Sequence, residues 1–136
     1  MGFGPDSSFP SLNNNQVGRV IVPTGMRAIF KFTTHADWEN AVCIYSEVSD
    51  EELTETRGNH GRPLNDFITP ENNTGRNHTL LVTGWHKKGQ PSGRLPWIQS
   101  YLQERPNSDG RNFIFGFEDA GDADYDDMQV EVNIVD

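Results

Sequence analysis

The last 25 residues of the chain, 112–136, restrict its fold more than any other part of the sequence. Apolar residues occupy every second position near the end of this segment: Met128, Val130, Val132 and Ile134. A period of two predicts a β-strand with one buried face. The apolar stretch at 112–117 predicts a second strand. The chain therefore ends in a strand, a polar loop at 118–127 and another strand.

The segment 118–127, which we call the acidic loop, holds six carboxylates within ten residues: Glu118, Asp119, Asp122, Asp124, Asp126 and Asp127. Eight of the 20 acids in the chain lie between 112 and 136, and none of its 11 Lys and Arg residues does. Each close pair of like charges costs on the order of 1 kcal/mol or more. A calcium ion, which takes about 6–8 oxygen ligands, converts this repulsion into binding energy. The acidic loop therefore predicts a calcium site.

Three other interpretations of the acidic loop compete with this one. An EF-hand that begins at Asp122 would need Gly at the sixth loop position and Glu at the twelfth. Asp127 and Asn133 occupy those positions, so an EF-hand is excluded. A carboxylate pair for glycoside hydrolysis and a solvated acidic turn without a ligand stay open as weaker alternatives.

The rest of the chain indicates one all-β domain, an antiparallel β-sandwich of roughly 7–9 strands. Further strand-like runs occur at 19–22, 28–32, 41–45, 79–83 and 97–102. No stretch has a helical period, and 48–77 is interpreted as an irregular excursion with little apolar content. Residues 1–16 are rich in Gly, Pro, Ser and Asn and predict a flexible arm. This leaves 17–136 as a single β-sandwich domain that contains the predicted calcium site.

Composition excludes several classes of function. With a net charge of −9 the chain has no basic footprint for a nucleic acid. The single Cys43 permits no internal disulfide and no thiolate cluster, and no apolar run approaches the ~18 residues that a membrane span requires. Motifs of nucleotide binding or of a serine nucleophile are missing, so we expect no enzyme. The N-terminus lacks the features of a signal peptide, which predicts a cytoplasmic protein or one exported by a non-classical route.

The acidic loop reads Glu-Asp-Ala-Gly-Asp-Ala-Asp-Tyr-Asp-Asp and precedes a final apolar strand. In this it resembles the two-calcium, fucose/mannose-binding bacterial lectins of the LecB type. Their motif is Glu-Asp-x-x-Asp-x-Asp-Tyr-Asn-Asp, and Asp126 stands here in place of the Asn. The segments 20–23 and 27–32 are similar to the opening hairpin of that family. Phe117 and the segment 77–82 also resemble the calcium-binding β-domains of bacterial surface proteins.

The resemblance implies a calcium-dependent lectin that binds glycans through loop-bound calcium. By motif position, one ion would be ligated by Glu118, Asp122, Asp124 and Asp127. One ion is expected, and a second would be shared by Asp124, Asp126 and Asp127. Sugar hydroxyls would coordinate the calcium and donate hydrogen bonds to Asp122, Asp124, Asp126 and Asp127. The alternative is a structural or adhesion module in which calcium only stiffens the loop.

The loop after the second predicted strand supplies the other half of the expected sugar site. His35 falls where the family has an Asn ligand, and Asp37 nearby could substitute for it. Trp38 and Trp85 could each stack on the apolar face of a sugar ring, whereas Trp97 lies in an apolar run and is predicted to be core. For such a lectin we expect an oligomer, most simply a homodimer, because several weak sites presented together gain avidity.

Overall fold

The computed structural model describes residues 3–5, 11–34, 40–49, 51–58, 64–87, 97–106, 111–118 and 128–136. Within these ranges the chain forms an all-β sandwich of two antiparallel sheets, as the sequence predicts. Its strands are β1 (Gly18–Val22), β2 (Arg27–Thr34), β3 (Asn40–Ser46), β4 (Glu52–Gly58), β5 (Phe67–Ile68), β6 (His78–Lys87), β7 (Trp97–Gln99), β8 (Tyr101–Pro106), β9 (Asn112–Glu118) and β10 (Met128–Val135). No helix within these ranges is long and apolar enough to cross a membrane.

The strands pair into two sheets. Sheet 1 has the order β1-β6-β3-β4, and β7 also pairs with β6. Sheet 2 has the order β5-β2-β10-β9-β8. The strand with the clearest alternation, β10, lies at the centre of sheet 2 between β2 and β9. Both edges of this central strand are hydrogen-bonded to neighbours. Of its two faces, one packs on the core and the other meets solvent.

The main core lies between the two sheets. The alternating apolar residues of β10 all face it and are buried, as their period of two predicts. Phe115 and Phe117 of β9 belong to the same core. A Cβ atom on Gly18 would lie 2.6 Å from the ring of Phe115, and one on Gly84 would lie 2.3 Å from the ring of Phe117. Both glycines are therefore required because an aromatic ring of the opposite sheet packs directly on the backbone.

A second apolar cluster covers the outer face of sheet 1. It consists of Val17, Ala41, Cys43, Tyr45, Leu81 and Trp85. Phe3 and Leu12 pack against it from the N-terminal segment. The rings of Phe3 and Tyr45 meet edge to face with 5.3 Å between centroids, and the backbone N–H of Gly4 donates to the Tyr45 hydroxyl at 2.7 Å. These residues of the predicted arm contact sheet 1, and the flexibility of 1–16 as a whole stays a prediction.

The two ends of the sandwich are distinguished by the strand ends that meet there. At the end that we call the upper end, β2 ends at Thr34, β3 begins at Asn40, β9 ends at Glu118 and β10 begins at Met128. The lower end carries the turn after β1, the segment 69–77 between β5 and β6, and the end of β10. The acidic loop thus belongs to the upper end.

The prediction of a single strand at 97–102 is wrong. This stretch forms the end of sheet 1 in β7 and the start of an edge of sheet 2 in β8. Ser100 separates the two strands: its N–H donates to the Gly84 carbonyl at 2.7 Å, and its hydroxyl shares a hydrogen bond of 2.8 Å with His86 Nδ1. These two bonds hold the chain at the point where it crosses between the sheets.

The prediction of an irregular excursion at 48–77 is also wrong, because this segment contains β4 and β5. β4 is an edge strand of sheet 1 and carries polar side chains on both faces, with Thr54 opposite Ile44 and Glu55 opposite Cys43. A strand without an apolar face has no hydropathy signal of period two. Its backbone hydrogen bonds to β3, which the sequence does not reveal, hold it in the sheet.

Candidate functional site

The pairing of three strands fixes the position of the strand ends that flank the acidic loop. Met128, the first residue of β10, lies opposite Phe117 on one side and opposite Thr34 on the other. Directly opposed residues of an antiparallel pair have Cα atoms about 4.5–5.5 Å apart. The two strand ends that flank the acidic loop are therefore neighbours, and β2 ends beside them. The framework brings together the strand ends next to the two loops that the sequence predicts to form one site.

Both residues that flank the acidic loop are anchored in the core. Phe117 and Met128 are each fully buried at 0% exposure, so the strand ends have little freedom to separate and relieve repulsion between the carboxylates. Six carboxylates must share the loop that closes this strand pair, and no Lys or Arg lies between 112 and 136. A donor set made of oxygen atoms with this much negative charge fits calcium. The strand framework is consistent with a calcium site at this position.

The predicted site residues are placed by the framework only in part. Glu118 is the last residue of β9, and its backbone lies opposite Tyr101 of β8. The other predicted calcium ligands lie outside the described residues: Asp122, Asp124, Asp126 and Asp127. Asp37 and Trp38 also lie outside the described residues. Their roles in binding calcium or sugar therefore stay predictions.

Polar side chains are buried where the strands reach the upper end. They are Thr34, Asn40, His86 and Ser100, each at most 5% exposed. Asn40 lies opposite His86 in sheet 1, and His86 is bonded to Ser100. In sequence these residues interrupt apolar runs or flank them, which is only a weak signal of buried polar side chains. Because Ser100 is completely buried, its hydroxyl is not available to attack a substrate even though a histidine is bonded to it.

Tyr101 is a candidate contact residue that the sequence analysis missed. It begins β8 opposite Glu118, and 55% of its surface is exposed. An exposed aromatic ring beside the start of the acidic loop could pack on the apolar face of a sugar. The prediction of one continuous strand at 97–102 concealed this residue, because the strand break after Gln99 is what brings Tyr101 to the edge of sheet 2.

The interpretation of Trp85 as a sugar-stacking residue is wrong. Its side chain is 1% exposed in the cluster on the outer face of sheet 1, and its Nε1–H donates to the Thr83 hydroxyl at 2.8 Å. The aromatic residue after a glycine at a strand end is covered here because the N-terminal segment packs over that face. The side chain of Trp97 lies outside the described part of the structure, so its assignment to the core stays a prediction.

A second group of potential ligand atoms lies on the outer face of sheet 1. Cys43, Glu52 and Glu55 bring one ligand atom each within 4.8 Å of one another. The thiol donates to Glu55 Oε1 at 3.9 Å, and Glu55 also pairs with Arg57. Burial, assisted by the charges of Glu55 and Glu52, raises the pKa of the Cys43 thiol. The thiol is therefore protonated at neutral pH, and the group is a hydrogen-bonded cluster separate from the acidic loop.

No protein-family model matches this sequence, and no curated protein matches it either. Solved structures do match the fold. The C-terminal domain of the BC2L-C lectin from Burkholderia cenocepacia superposes with a TM-score of 0.64 at 19% identity, covering 85% of this chain and 93% of that one. The Chromobacterium violaceum lectin CV2L, solved with alpha-methyl-fucoside, gives 0.61 at 16% identity, covering 85% and 94%.

A high-affinity mannose-binding lectin of Ralstonia solanacearum has the same fold as well. Its TM-score is 0.61 at 12% identity, and the alignment covers 85% of this chain and 94% of the lectin. In all three cases almost the whole lectin chain is aligned, so the similarity includes both sheets. At these identities the comparison shows a shared β-sandwich fold.

Proposed function

We propose that this chain is a calcium-dependent carbohydrate-binding protein, a lectin, whose site lies at the upper end of the sandwich. One observation supports the proposal: Met128 pairs with both Phe117 and Thr34, so the strand ends that lead into the acidic loop and into the segment 35–39 adjoin in a fold that three bacterial lectins share. The motif of the acidic loop and the fold shared with these lectins both support the proposal.

The proposed binding role assigns the carboxylates of the acidic loop to calcium and to sugar. Glu118, Asp122, Asp124 and Asp127 would hold one ion, and Asp126 would join Asp124 and Asp127 if a second ion binds. Calcium supplies coordination positions for vicinal hydroxyls of a sugar. The loop carboxylates accept hydrogen bonds from the same hydroxyls, which orients a neutral ligand. Asp37 and Trp38 would contact the sugar from the neighbouring loop.

The proposal involves binding without chemical conversion of the glycan. The Ser100–His86 pair at the upper end is buried and cannot reach a substrate. With a net charge of −9 the chain is also a poor partner for nucleic acid. We expect a homodimer in which two weak sites act together on a glycan-bearing surface, which would suit a role in adhesion.

Glycan binding with and without calcium tests the proposal. We expect the protein to bind a glycan array in calcium, to lose binding in excess chelator and to regain it when calcium is restored. Titration calorimetry with alpha-methyl-fucoside and alpha-methyl-mannoside then measures affinity for the two sugars named for the related folds. If calcium raises the melting temperature but no glycan binds, the lectin proposal is wrong and calcium has a structural role.

A further inference from the structure

A cavity of about 380 Å³ opens at the lower end of the sandwich. It lies between the sheets, bounded by the end of β1, the starts of β4 and β6 and the segment that follows β5. The ten residues of β6 run from this cavity to the upper end, which places the two ends about 30 Å apart at a strand rise of ~3.3 Å per residue. The cavity is therefore separate from the proposed sugar site.

The floor of the cavity is apolar. It is formed by Val22, Leu53, Phe67 and Leu80. Val22 and Leu80 belong to the closed core, whereas Leu53 and Phe67 are only partly buried and pack at its margin. The core of the sandwich is thus left open at this end, and apolar carbon faces the cavity. A ligand with an apolar body would gain free energy by covering this surface.

The rim of the cavity is polar and carries one carboxylate. Glu71, Asn73 and His78 contribute to it, and no Lys or Arg is among the described residues that line it. His78 is held by a hydrogen bond of 2.8 Å between its Nε2 and the Ser46 hydroxyl. A cationic or hydrogen-bond-donating group is therefore the head group that suits this rim, whereas an anionic group would meet Glu71 without a compensating base.

The wall of the cavity is fixed before any ligand arrives. Asn72 donates through Nδ2 to the carbonyls of Val22 at 2.9 Å and of Arg76 at 2.8 Å. Its Oδ1 accepts hydrogen bonds from the N–H of Thr74 at 3.1 Å and from the Thr74 hydroxyl at 2.7 Å. Its backbone also bonds to Met26 and Gly25. All the hydrogen-bonding atoms of this buried residue are used, so it ties the segment after β5 to β1.

We propose that this cavity binds a small molecule with an aromatic-sized apolar body and a cationic or hydrogen-bond-donating head group next to Glu71. Its size falls within the range of small-molecule sites, about 300–1,000 Å³. The apolar floor with a few polar groups at the rim is the composition that such sites have. The site is independent of the acidic loop, of calcium and of sugar binding.

Two naphthyl compounds with opposite charges test the proposal. 1-Naphthylmethylamine carries an ammonium head and 1-naphthylacetate a carboxylate on the same apolar body, and binding of each is followed by ligand fluorescence and by calorimetry. We expect one ammonium compound bound per chain, about fivefold more tightly than the acetate because of the nearby Glu71 charge. Excess chelator should leave this binding unchanged. Failure of both compounds to bind, or loss of binding in chelator, would overturn the proposal.

Matched substitutions locate the site. Leu53→Trp adds bulk inside the cavity and should weaken binding of the ammonium compound at least tenfold, while Val48→Trp adds the same bulk at a position that is 87% exposed and should leave binding unchanged. Glu71→Gln should abolish the preference for the ammonium compound, whereas Glu104→Gln, which removes an exposed charge on β8, should preserve it. If Leu53→Trp does not fold, the Glu71 and Glu104 variants decide. Equal behaviour of those two variants would overturn the proposal.

Discussion

At the scale of single residues, the acids of the C-terminal segment fall into two groups with different surroundings. Glu131 of β10 is exposed in the sheet and lies opposite Lys31 of β2, so a base can offset its charge. The acids of the acidic loop lie in a segment without any base. Without calcium, removing a carboxylate of the acidic loop should stabilise the fold because it relieves repulsion, whereas removing Glu131 should destabilise it slightly because Lys31 loses its opposite charge. With calcium, removing a loop carboxylate should weaken ion binding, whereas removing Glu131 should change it little.

We predict that Asp124→Asn lowers calcium affinity more than any other single neutralisation in the loop, because Asp124 could serve both ions. Removal of one carboxylate ligand should weaken calcium at least tenfold, which corresponds to about 1.4 kcal/mol or more. Calcium titration by calorimetry measures the effect. Glu131→Gln is the control, since it removes the same charge from the same segment on β10 and should change affinity little. Wild-type calcium affinity in Asp124→Asn would show that the ligand set is wrong.

Glu52 gives a second prediction at the residue scale. Burial, and after it the charge of Glu55, raises the pKa of the Glu52 carboxyl above its ordinary value of 4.5. A carboxyl with a raised pKa in the folded state contributes stability below its ordinary pKa, and this contribution is lost as the pH rises through the folded-state value. Glu52→Gln should therefore raise the melting temperature at pH 7, because it removes a charge that burial and Glu55 disfavour. The rise should be small, because this side chain is largely exposed.

Melting curves of Glu52→Gln between pH 4 and pH 8 should show a gain over wild type that shrinks as the pH falls through the raised folded-state pKa of Glu52 towards the ordinary value of 4.5. Glu104→Gln, a neutralisation at an exposed position of β8, serves as the control and should show no such trend. A constant difference between Glu52→Gln and wild type across this range would mean that the carboxyl is not perturbed by its neighbours.

At the scale of elements, β10 and β4 show what the sequence can and cannot predict. β10 alternates apolar and polar residues because one face is buried, so its existence and its inward face follow from the sequence alone. β4 is held by backbone bonds to β3 at the edge of a sheet, and its side chains carry no trace of that pairing. The split between β7 and β8 depends on Ser100 meeting Gly84 and His86, contacts that exist only after folding.

The same contrast applies to the candidate site. A run of carboxylates is a local signal, so a calcium site could be predicted from sequence. The pairing of Met128 with Thr34 and Phe117 brings together the strand ends beside this loop and beside 35–39, and the roles of the loop residues stay predictions. Burial of Trp85 could not be predicted, because it depends on the N-terminal segment covering sheet 1. Exposure of Tyr101 could not be predicted either, since it depends on where the chain changes sheets.

Packing between elements gives a prediction at Gly84 of β6. A Cβ at this position would lie 2.3 Å from the ring of Phe117, which is too close for a rigid aromatic side chain to avoid. Gly84→Ala should destabilise the fold by about 1–3 kcal/mol through overpacking. Urea unfolding of Gly84→Ala, Phe117→Leu and the double variant measures the coupling. The double variant should be more stable than the sum of the single changes predicts, because the smaller side chain makes room for the methyl group.

At the scale of the whole molecule, calcium should act as a stabiliser of the sandwich, since the acidic loop joins β9 to the central strand of sheet 2. A ligand that binds only the folded state stabilises it by about 2.7 kcal/mol at a concentration ~100-fold above its Kd. For a chain of 136 residues, we expect this to raise the melting temperature by about 10 °C. Melting with calcium and with chelator checks the value, and magnesium, which accepts a crowded carboxylate site less readily, should raise it less.

The charge distribution makes the response to salt a sharper test of the same idea. Without calcium, the carboxylates of the acidic loop repel one another in the folded state, and salt screens that repulsion over a Debye length of about 10 Å at ~0.1 M. Sodium chloride should therefore raise the melting temperature of the calcium-free protein. With calcium bound, the repulsion is already offset, so the same salt should raise it much less. If salt raises the melting temperature of the calcium-bound and calcium-free proteins equally, the excess negative charge is not concentrated in a calcium-binding loop. The net negative charge of the chain would then be no argument for a calcium site.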